Sequence, residues 1–206
     1  MKSYLVSVVI PYYRSKKFFT QSIRSVENQS YKNKEIIITY DDEDKSDLKF
    51  IKNVIKNKKN YKLIVNKFNI GAGKSRNKAI LKSRGRYIAF LDSDDFWSKN
   101  KLSKQINFMN KKNISASFTA YNIVNEKNNK ISSRNAKNKI FFQDLLLSCD
   151  IGLSTVILKK SILKKKNNFP NLKTKEDYVL WLLLSKKKKI FYGINEKLSS
   201  WRKASN

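Results

Sequence analysis

Asp92, Ser93, Asp94 and Asp95 follow directly on Gly85-Arg86-Tyr87-Ile88-Ala89-Phe90-Leu91, an apolar run of strand length. Carboxylates bunched at a strand's carboxyl end repel one another unless a cation joins them. Open α/β sheets seat their ligands at such ends, so the pattern points to a hard divalent metal and, through it, a phosphorylated ligand. Two further acidic clusters stand out: Asp41, Asp42, Glu43, Asp44 and Asp47, then Glu176 and Asp177. Together the three hold ten of the sixteen acids in a chain whose net charge is +29, so negative charge is concentrated at a few places. There is no histidine, which restricts any general base to a carboxylate, a lysine, a tyrosine or Cys149.

Each cluster also has an ordinary structural reading. Asp and Ser favour turns and helix N-caps, which alone could account for 92–95. Thr174 followed by Asp177 resembles a capping box, and acids in a first helical turn complement the helix dipole. What weighs against turns alone is convergence. Pro11-Tyr12-Tyr13-Arg14 ends the first apolar run, Asp41-Asp42 the second, and Asp92-Ser93-Asp94 the fourth.

The elements that must position these residues alternate. Apolar runs at 5–10, 35–39, 61–65 and 86–91 read as strands. Helical spacing recurs over 17–29, 48–55 and 72–82. Such alternation predicts an α/β fold with a mostly parallel sheet and helices on both faces. Beyond residue 98 the sequence suggests a helix over 102–109, short strands over 116–124, a polar loop over 125–139 and a short helix over 141–147. A strand over 154–158, a helix over 174–185 and strands near 189–192 and 198–201 follow. One domain over 1–206 is expected, with a nucleotide-binding half to about residue 97 and an acceptor-binding half after it.

Gly71-Ala72-Gly73-Lys74-Ser75 offers a rival, since Gly73-Lys74-Ser75 matches the tail of a P-loop and would make the chain an NTPase or kinase. That motif needs a glycine where Phe68 stands, and it ordinarily follows the first strand, which here ends in Pro11. A glycine turn entering a basic helix N-terminus still suits a phosphate or ribose contact.

Lysines outnumber arginines 38 to 7 and are scattered along the chain, as a compositional bias toward lysine would leave them. The excess also suits anionic membrane surfaces, polyanionic acceptors or nucleic acid. Nucleic acid is not expected as a partner, because arginines are few and the aromatics lie in apolar patterns rather than on a stacking face. The lone Cys149, the lack of a signal-peptide pattern and the lack of a run long enough to span a bilayer read as cytoplasmic.

Taken in order, Ser7-Val8-Val9-Ile10-Pro11-Tyr12-Tyr13, Glu35-Ile36-Ile37-Ile38 into Asp41-Asp42, Asn69-x-Gly71 into Ser75-Arg76-Asn77, and the 85–95 segment resemble family 2 glycosyltransferases. Glu176-Asp177-Tyr178-x-Leu180-Trp181 and Leu198-x-x-Trp201-Arg202 extend the resemblance over nearly the whole chain. It implies a GT-A fold, with a Rossmann-like half, and inverting transfer of one sugar from a nucleotide-diphosphate donor, UDP foremost. By resemblance, Pro11, Tyr12, Tyr13 and Arg14 lie against the nucleoside and Asp41 or Asp42 accepts from the base. Arg76 and Asn77 sit near the nucleoside or diphosphate, and Asp92 with Ser93 faces the ribose or donor sugar. Asp94, with Asp92, holds Mn²⁺ or Mg²⁺, and Asp177 is the general base, with Glu176, Trp181 and Arg202 as companions.

Tyr40 departs from the family pattern, standing where an acid is usual, so the choice between Asp41 and Asp42 stays open. No Gln-x-x-Arg-Trp pattern of processive synthases is present, and the chain ends soon after Arg202, which favours single addition without a membrane tail. A glycan or lipid-linked acceptor of surface-polysaccharide synthesis, reached from the inner face of the plasma membrane, completes the expectation.

Overall fold

The computed structural model describes residues 3–203. Its first half alternates as expected. Strands β1 (Val6–Tyr12), β2 (Lys34–Tyr40), β3 (Tyr61–Val65) and β4 (Tyr87–Phe90) are linked by helices α1 (Lys16–Glu27), α2 (Leu48–Ile55) and α3 (Ala72–Lys82). All four strands pair in parallel, in the order β3-β2-β1-β4. The second half contributes β5 (Phe96–Trp97), α4 (Lys101–Lys111), β6 (Ala116–Val124), β7 (Lys130–Arg134), β8 (Lys139–Ile140), α5 (Phe142–Leu147), β9 (Ile157–Lys159), α6 (Glu176–Lys186) and β10 (Phe191–Arg202).

The sheet continues past β4 as β9-β6-β10-β5. Because β9 runs antiparallel to both β4 and β6, while β10 runs parallel to β6, the long strands share one direction, opposed by β5, β7, β8 and β9. Both faces are covered. Val8, Ile10, Ile36 and Ile38 pack with α1 and α4, while Val9, Ile37, Ile88 and Phe90 pack with α6 through Trp181. Alternate residues of one strand therefore feed two cores, which is why β1 and β2 read as unbroken apolar runs.

β4 ends early, and that matters for the site. It pairs with β1 only as far as Phe90 opposite Val9. Odd-numbered residues of β1 face β4, since Tyr87 N–H bonds Leu5 O and Leu91 N–H bonds Val9 O. Pro11 therefore faces the gap beyond β4, where its missing N–H leaves no ladder bond unmade.

Several second-half expectations shift. The expected 125–139 loop contains β7, hairpinned to β6. Its residues Lys-Ile-Ser-Ser-Arg are exposed, so no apolar alternation marks the strand. The expected strand at 154–158 begins as a 3-10 turn, Leu153–Thr155, before β9. The two strands expected at the end are one, β10, carried through register shifts between Ile194 and Ser199. The Thr174 capping box does not form, because α6 starts from Lys175 in the left-handed region (φ 61°) with no side-chain cap.

At Gly193 in β10, a Cβ would lie 2.1 Å from Lys137 O, while its N–H bonds Asn138 O at 3.0 Å. Neither backbone can yield without breaking the β8–β10 edge. Gly193→Ala is expected to cost about 1–3 kcal/mol, read as a lower urea midpoint at unchanged slope; an unchanged midpoint contradicts the close approach.

Candidate active site

The carboxyl ends of β1, β2 and β4 open into a cleft of about 400 Å³ lined by Pro11, Tyr13, Ser15, Asp41, Gly71, Arg76, Asp92, Ser93 and Asp94, among others. Tyr12 also reaches it, but its ring belongs to the core. That ring is fully buried, stacks on Tyr40 at 5.3 Å, and donates its hydroxyl to Asp47 Oδ2 at 2.7 Å. Burial and then the Asp47 bond push the Tyr12 phenol far above its ordinary value. Tyr13 is the free ring, 47% exposed, with the Arg14 guanidinium 5.0 Å from its centre.

Asp41 and Asp42 divide sharply. Asp41 lines the cleft, and its Oδ1 accepts from Asn66 Nδ2 at 2.8 Å and Ile70 N–H at 2.9 Å. Those bonds tie β2 to the Asn69–Gly71 turn and orient the carboxylate. Asp42 accepts from Arg14 Nε at 3.1 Å and Asp44 N–H at 3.2 Å, bracing the loop behind. Of the pair, Asp41 is the one that lines the cleft.

Arg76, on the inner face of α3, is buried between two carboxylates. It donates to Asp92 Oδ1 at 2.6 Å and to Glu176 Oε1 at 2.5 Å. Burial alone would lower its pKa, yet Asp92 and then Glu176 hold it above the ordinary value, so it stays a cation. The approach is tight: a Cβ at Gly73 would lie 3.0 Å from Glu176 Cγ. Arg76 Nε has no hydrogen-bond partner among the described residues.

The acids of the 92–95 turn take three different roles. Asp92 is neutralised by Arg76. Asp95 is buried, accepting from Ser154 Oγ at 2.5 Å and Arg202 N–H at 2.9 Å, and is a structural anchor. Asp94 has neither an ion pair nor a side-chain hydrogen bond among the described residues. Burial first, and then the charge of Asp92, push it up from 3.8 to about 6. Ser93 bonds Ser15 Oγ at 2.7 Å, joining the turn to the start of α1.

A second cavity, of about 200 Å³, lies across the turn. Asp92, Asp95, Tyr121, Gly152, Ser154, Thr155, Asp177 and Trp201 line it. Asp92 belongs to both cavities, so the two meet at its side chain. Asp177 Oδ1 accepts from Tyr178 N–H at 2.8 Å, and burial raises its pKa from 3.8. Tyr121, Ser154 and Thr155 carry no sequence signal that would have marked them for a site.

Three expected site residues sit elsewhere. Asn77 has both ends of its amide on the backbone, donating to Phe169 O and accepting from Asn168 and Phe169 N–H, so it clamps the 168–169 segment. Trp181 is fully buried against Phe90, Phe169 and Phe191, beneath the site rather than in it. Arg202 has all five donors engaged: with Asp94 O, Asn125 O, Glu126 O, Gln21 Oε1 and Asn128 Oδ1. It locks the acidic turn to the β6–β7 loop. The P-loop reading fails as well. Gly73, Lys74 and Ser75 lie inside α3, and Ser75 Oγ accepts from Asn66.

Asp92 and Asp94 are hard oxygen donors fit for Mn²⁺ or Mg²⁺. Among the described residues no cluster of three or more His, Cys, Asp or Glu could cage an ion. A cation on Asp94 would therefore complete its shell from water and a ligand's phosphate oxygens, the usual habit of Mg²⁺.

Over residues 7–168 the chain matches the model described as glycosyl transferase family 2. Among curated relatives, it is 40% identical to the Escherichia coli UDP-Glc:alpha-D-GlcNAc-diphosphoundecaprenol beta-1,3-glucosyltransferase WfgD over 186 residues, 90% of this chain and 72% of that one. It is 33% identical over 203 residues to the putative teichuronic acid biosynthesis glycosyltransferase TuaG of Bacillus subtilis, covering 98% of this chain and 80% of that one. Among solved structures, S. aureus TarS 1–349 in complex with UDP-GlcNAc superposes with a TM-score of 0.80 at 22% identity. That match covers 98% of this chain and 59% of TarS 1–349, so the chain spans little more than half of it. The Pyrobaculum calidifontis mannosyltransferase PcManGT, in complex with GDP-Man and Mn²⁺, gives 0.75 at 11% identity over 97% of this chain and 57% of that one. At these identities the structural likeness is one of fold, and the fold is GT-A.

The raised Asp94 carboxyl makes a signed prediction. Its contribution to stability is fully present below 3.8 and is lost as pH rises through about 6. Metal-free protein should therefore lose on the order of 2 kcal/mol across that window. Asp94→Asn should lose correspondingly less, as followed by urea denaturation in EDTA; identical slopes for the two proteins would refute the burial of Asp94.

Proposed function

The chain belongs to glycosyltransferase family 2, and we propose that it inverts the anomeric centre of a UDP-sugar while passing that sugar to one acceptor hydroxyl. The observation that carries this reading is the pair of cavities meeting at Asp92, with Asp94 on one side and Asp177 on the other. A donor sugar at that junction has its diphosphate in the larger cleft and its free face toward the smaller.

Asp41 accepts from the base and the exposed Tyr13 ring stacks on it. Pro11, with no N–H and β4 already ended, leaves the cleft floor open beneath the nucleoside. Arg76 lines the cleft beside Asp92, so its cation favours a diphosphate there. A Mn²⁺ or Mg²⁺ held by Asp94, when bound, neutralises charge growing on the leaving diphosphate. Asp177 takes the acceptor proton as the hydroxyl oxygen bonds to the anomeric carbon. The carbon–oxygen bond to the diphosphate breaks, and its electron pair leaves with UDP. Burial suits Asp177 to the task, since a raised pKa makes it a stronger base than an exposed carboxylate. Glu176, paired with Arg76, orients the turn that carries Asp177.

The acceptor is a lipid-linked glycan of surface-polysaccharide synthesis. This follows the relative that acts on a GlcNAc-diphosphoundecaprenol, with the enzyme working at the cytoplasmic face of the membrane. Among the described residues no helix is long and apolar enough to cross a bilayer.

The test separates donor binding from chemistry. UDP should raise the melting temperature in Mn²⁺, and EDTA should remove the shift. Asp177→Asn should keep that shift and lower transfer from UDP-sugars by about 10²–10⁴-fold, while Asp94→Asn should lose the metal-dependent part. No UDP shift in any divalent metal would overturn the donor assignment, and full transfer by Asp177→Asn would remove the base.

A further inference from the structure

Tyr178-Val179-Leu180-Trp181-Leu182-Leu183-Leu184 makes α6 apolar around its whole circumference. Its core side is filled by Leu180, Trp181 and Leu184, yet Leu183 on the outer side is 44% exposed. Helices of that composition are normally covered on every face. The neighbouring α5 repeats the pattern, with Leu145 buried while Leu146 and Leu147 are 60% and 89% exposed. α5 lies along α6. The Tyr178 hydroxyl donates to Leu145 O near one end, and at the other a groove of about 450 Å³ runs between Phe141-Phe142 and Lys186, Lys188 and Lys189.

The basic end is uncompensated. None of Lys186, Lys187, Lys188 and Lys189 forms an ion pair among the described residues, and no Asp or Glu lines the groove. The acids carried nearby are already engaged: Asp144 accepts from Phe141 N–H at 2.8 Å, and Asp150 pairs with Lys137 at 3.6 Å.

We propose that this α5–α6 face docks on an anionic phospholipid bilayer. Leu146, Leu147 and Leu183 enter the acyl boundary, and Lys186–Lys189 meet headgroup phosphates. Exposed leucines along the helix pair and unpaired lysines at its end match that interface in both its layers, whereas a neutral apolar partner would leave the lysines unanswered. The face is also continuous with the site. α6 begins at Asp177's turn, and the chain leaving α5 becomes the Gly152–Thr155 wall of the smaller cavity. Docking here, on the reading of a lipid-linked acceptor, holds the acceptor cavity beside the leaflet that carries its substrate.

Flotation of the full chain with vesicles rich in phosphatidylglycerol, against pure phosphatidylcholine, tests the face directly. Wild-type protein should float with the anionic vesicles alone, less so at higher salt. Leu146→Gln with Leu147→Gln should weaken partitioning about tenfold or more. Converting Lys186, Lys187, Lys188 and Lys189 to Gln should weaken it more than about a hundredfold. The same change at exposed Lys49, Lys52, Lys56 and Lys59, on and after α2, should have far less effect. A UDP-dependent thermal shift in each variant confirms that it is folded. If wild type does not float, or if both lysine sets weaken binding equally, the docking face is wrong. A dimer that dissociates on leucine substitution, without vesicle binding, would give the face to a second copy instead. Loss of the UDP shift in wild type would undo the donor reading and leave the flotation result standing.

Discussion

Everything in the site hangs on one buried cation. Four carboxylates, Asp92, Asp94, Glu176 and Asp177, approach from two separate parts of the chain, and without compensation they would drive those parts from one another. Arg76 bridges Asp92 and Glu176 at 2.6 and 2.5 Å and so ties α3, the β4 turn and the start of α6 together. Removing one member of a buried pair typically costs about 3–5 kcal/mol, because the partner charge is left unanswered. Here the position matters more than the stability. Asp177 sits one residue beyond Glu176, so the same bridge that neutralises charge also sets where the proposed base stands.

A second clamp divides the remaining charge. Asp95 is pinned by Ser154 and the Arg202 backbone, and the Arg202 side chain holds Asp94 O in turn. With Asp92 paired and Asp95 enclosed, the turn keeps a single carboxylate, Asp94, unpaired at the cleft. Burial and then the neighbouring charge of Asp92 hold its carboxyl above the ordinary range. Arg202 thereby acts on the site from the last strand without facing it, its guanidinium lying 4.2 Å over the Phe18 ring.

The first half was legible because β1, β2 and β4 are buried on both faces and its helices on one. β1, β2 and β4, together with the acids at their ends, could be read from runs and turns alone. That Asp41 rather than Asp42 lines the cleft could not, since its placement rests on Asn66 and Ile70, whose bonds to Asp41 Oδ1 span 25 and 29 residues. The second half was harder for a related reason. β7 is solvated on both faces and carries no apolar period, and β10 is interrupted by register shifts that look like two strands. The wall of Tyr121, Ser154 and Thr155 comes from two elements far apart in sequence, β6 and the 3-10 turn at 153–155. Asn77 and Trp181 were drawn toward the site by their neighbours in sequence, but tertiary contacts claimed both side chains for packing.

α6 joins these arguments. Its first turn carries Glu176 and Asp177, its middle fills the core through Trp181, and its end is a run of lysines. Acids at the N-terminus and lysines at the C-terminus each complement the helix dipole, so the charge order stabilises the helix before it serves any ligand. The apolar circumference between them has no such local explanation. On the core side it is satisfied by Phe90, Phe169 and Phe191; on the outer side it leaves Leu183 exposed. A helix only eleven residues long thus places the proposed base, half-buried, at one end and the proposed docking surface along its flank. At about 1.5 Å per residue the two are separated by no more than some 15 Å, so on the reading proposed above one rigid element joins the base to the docking face.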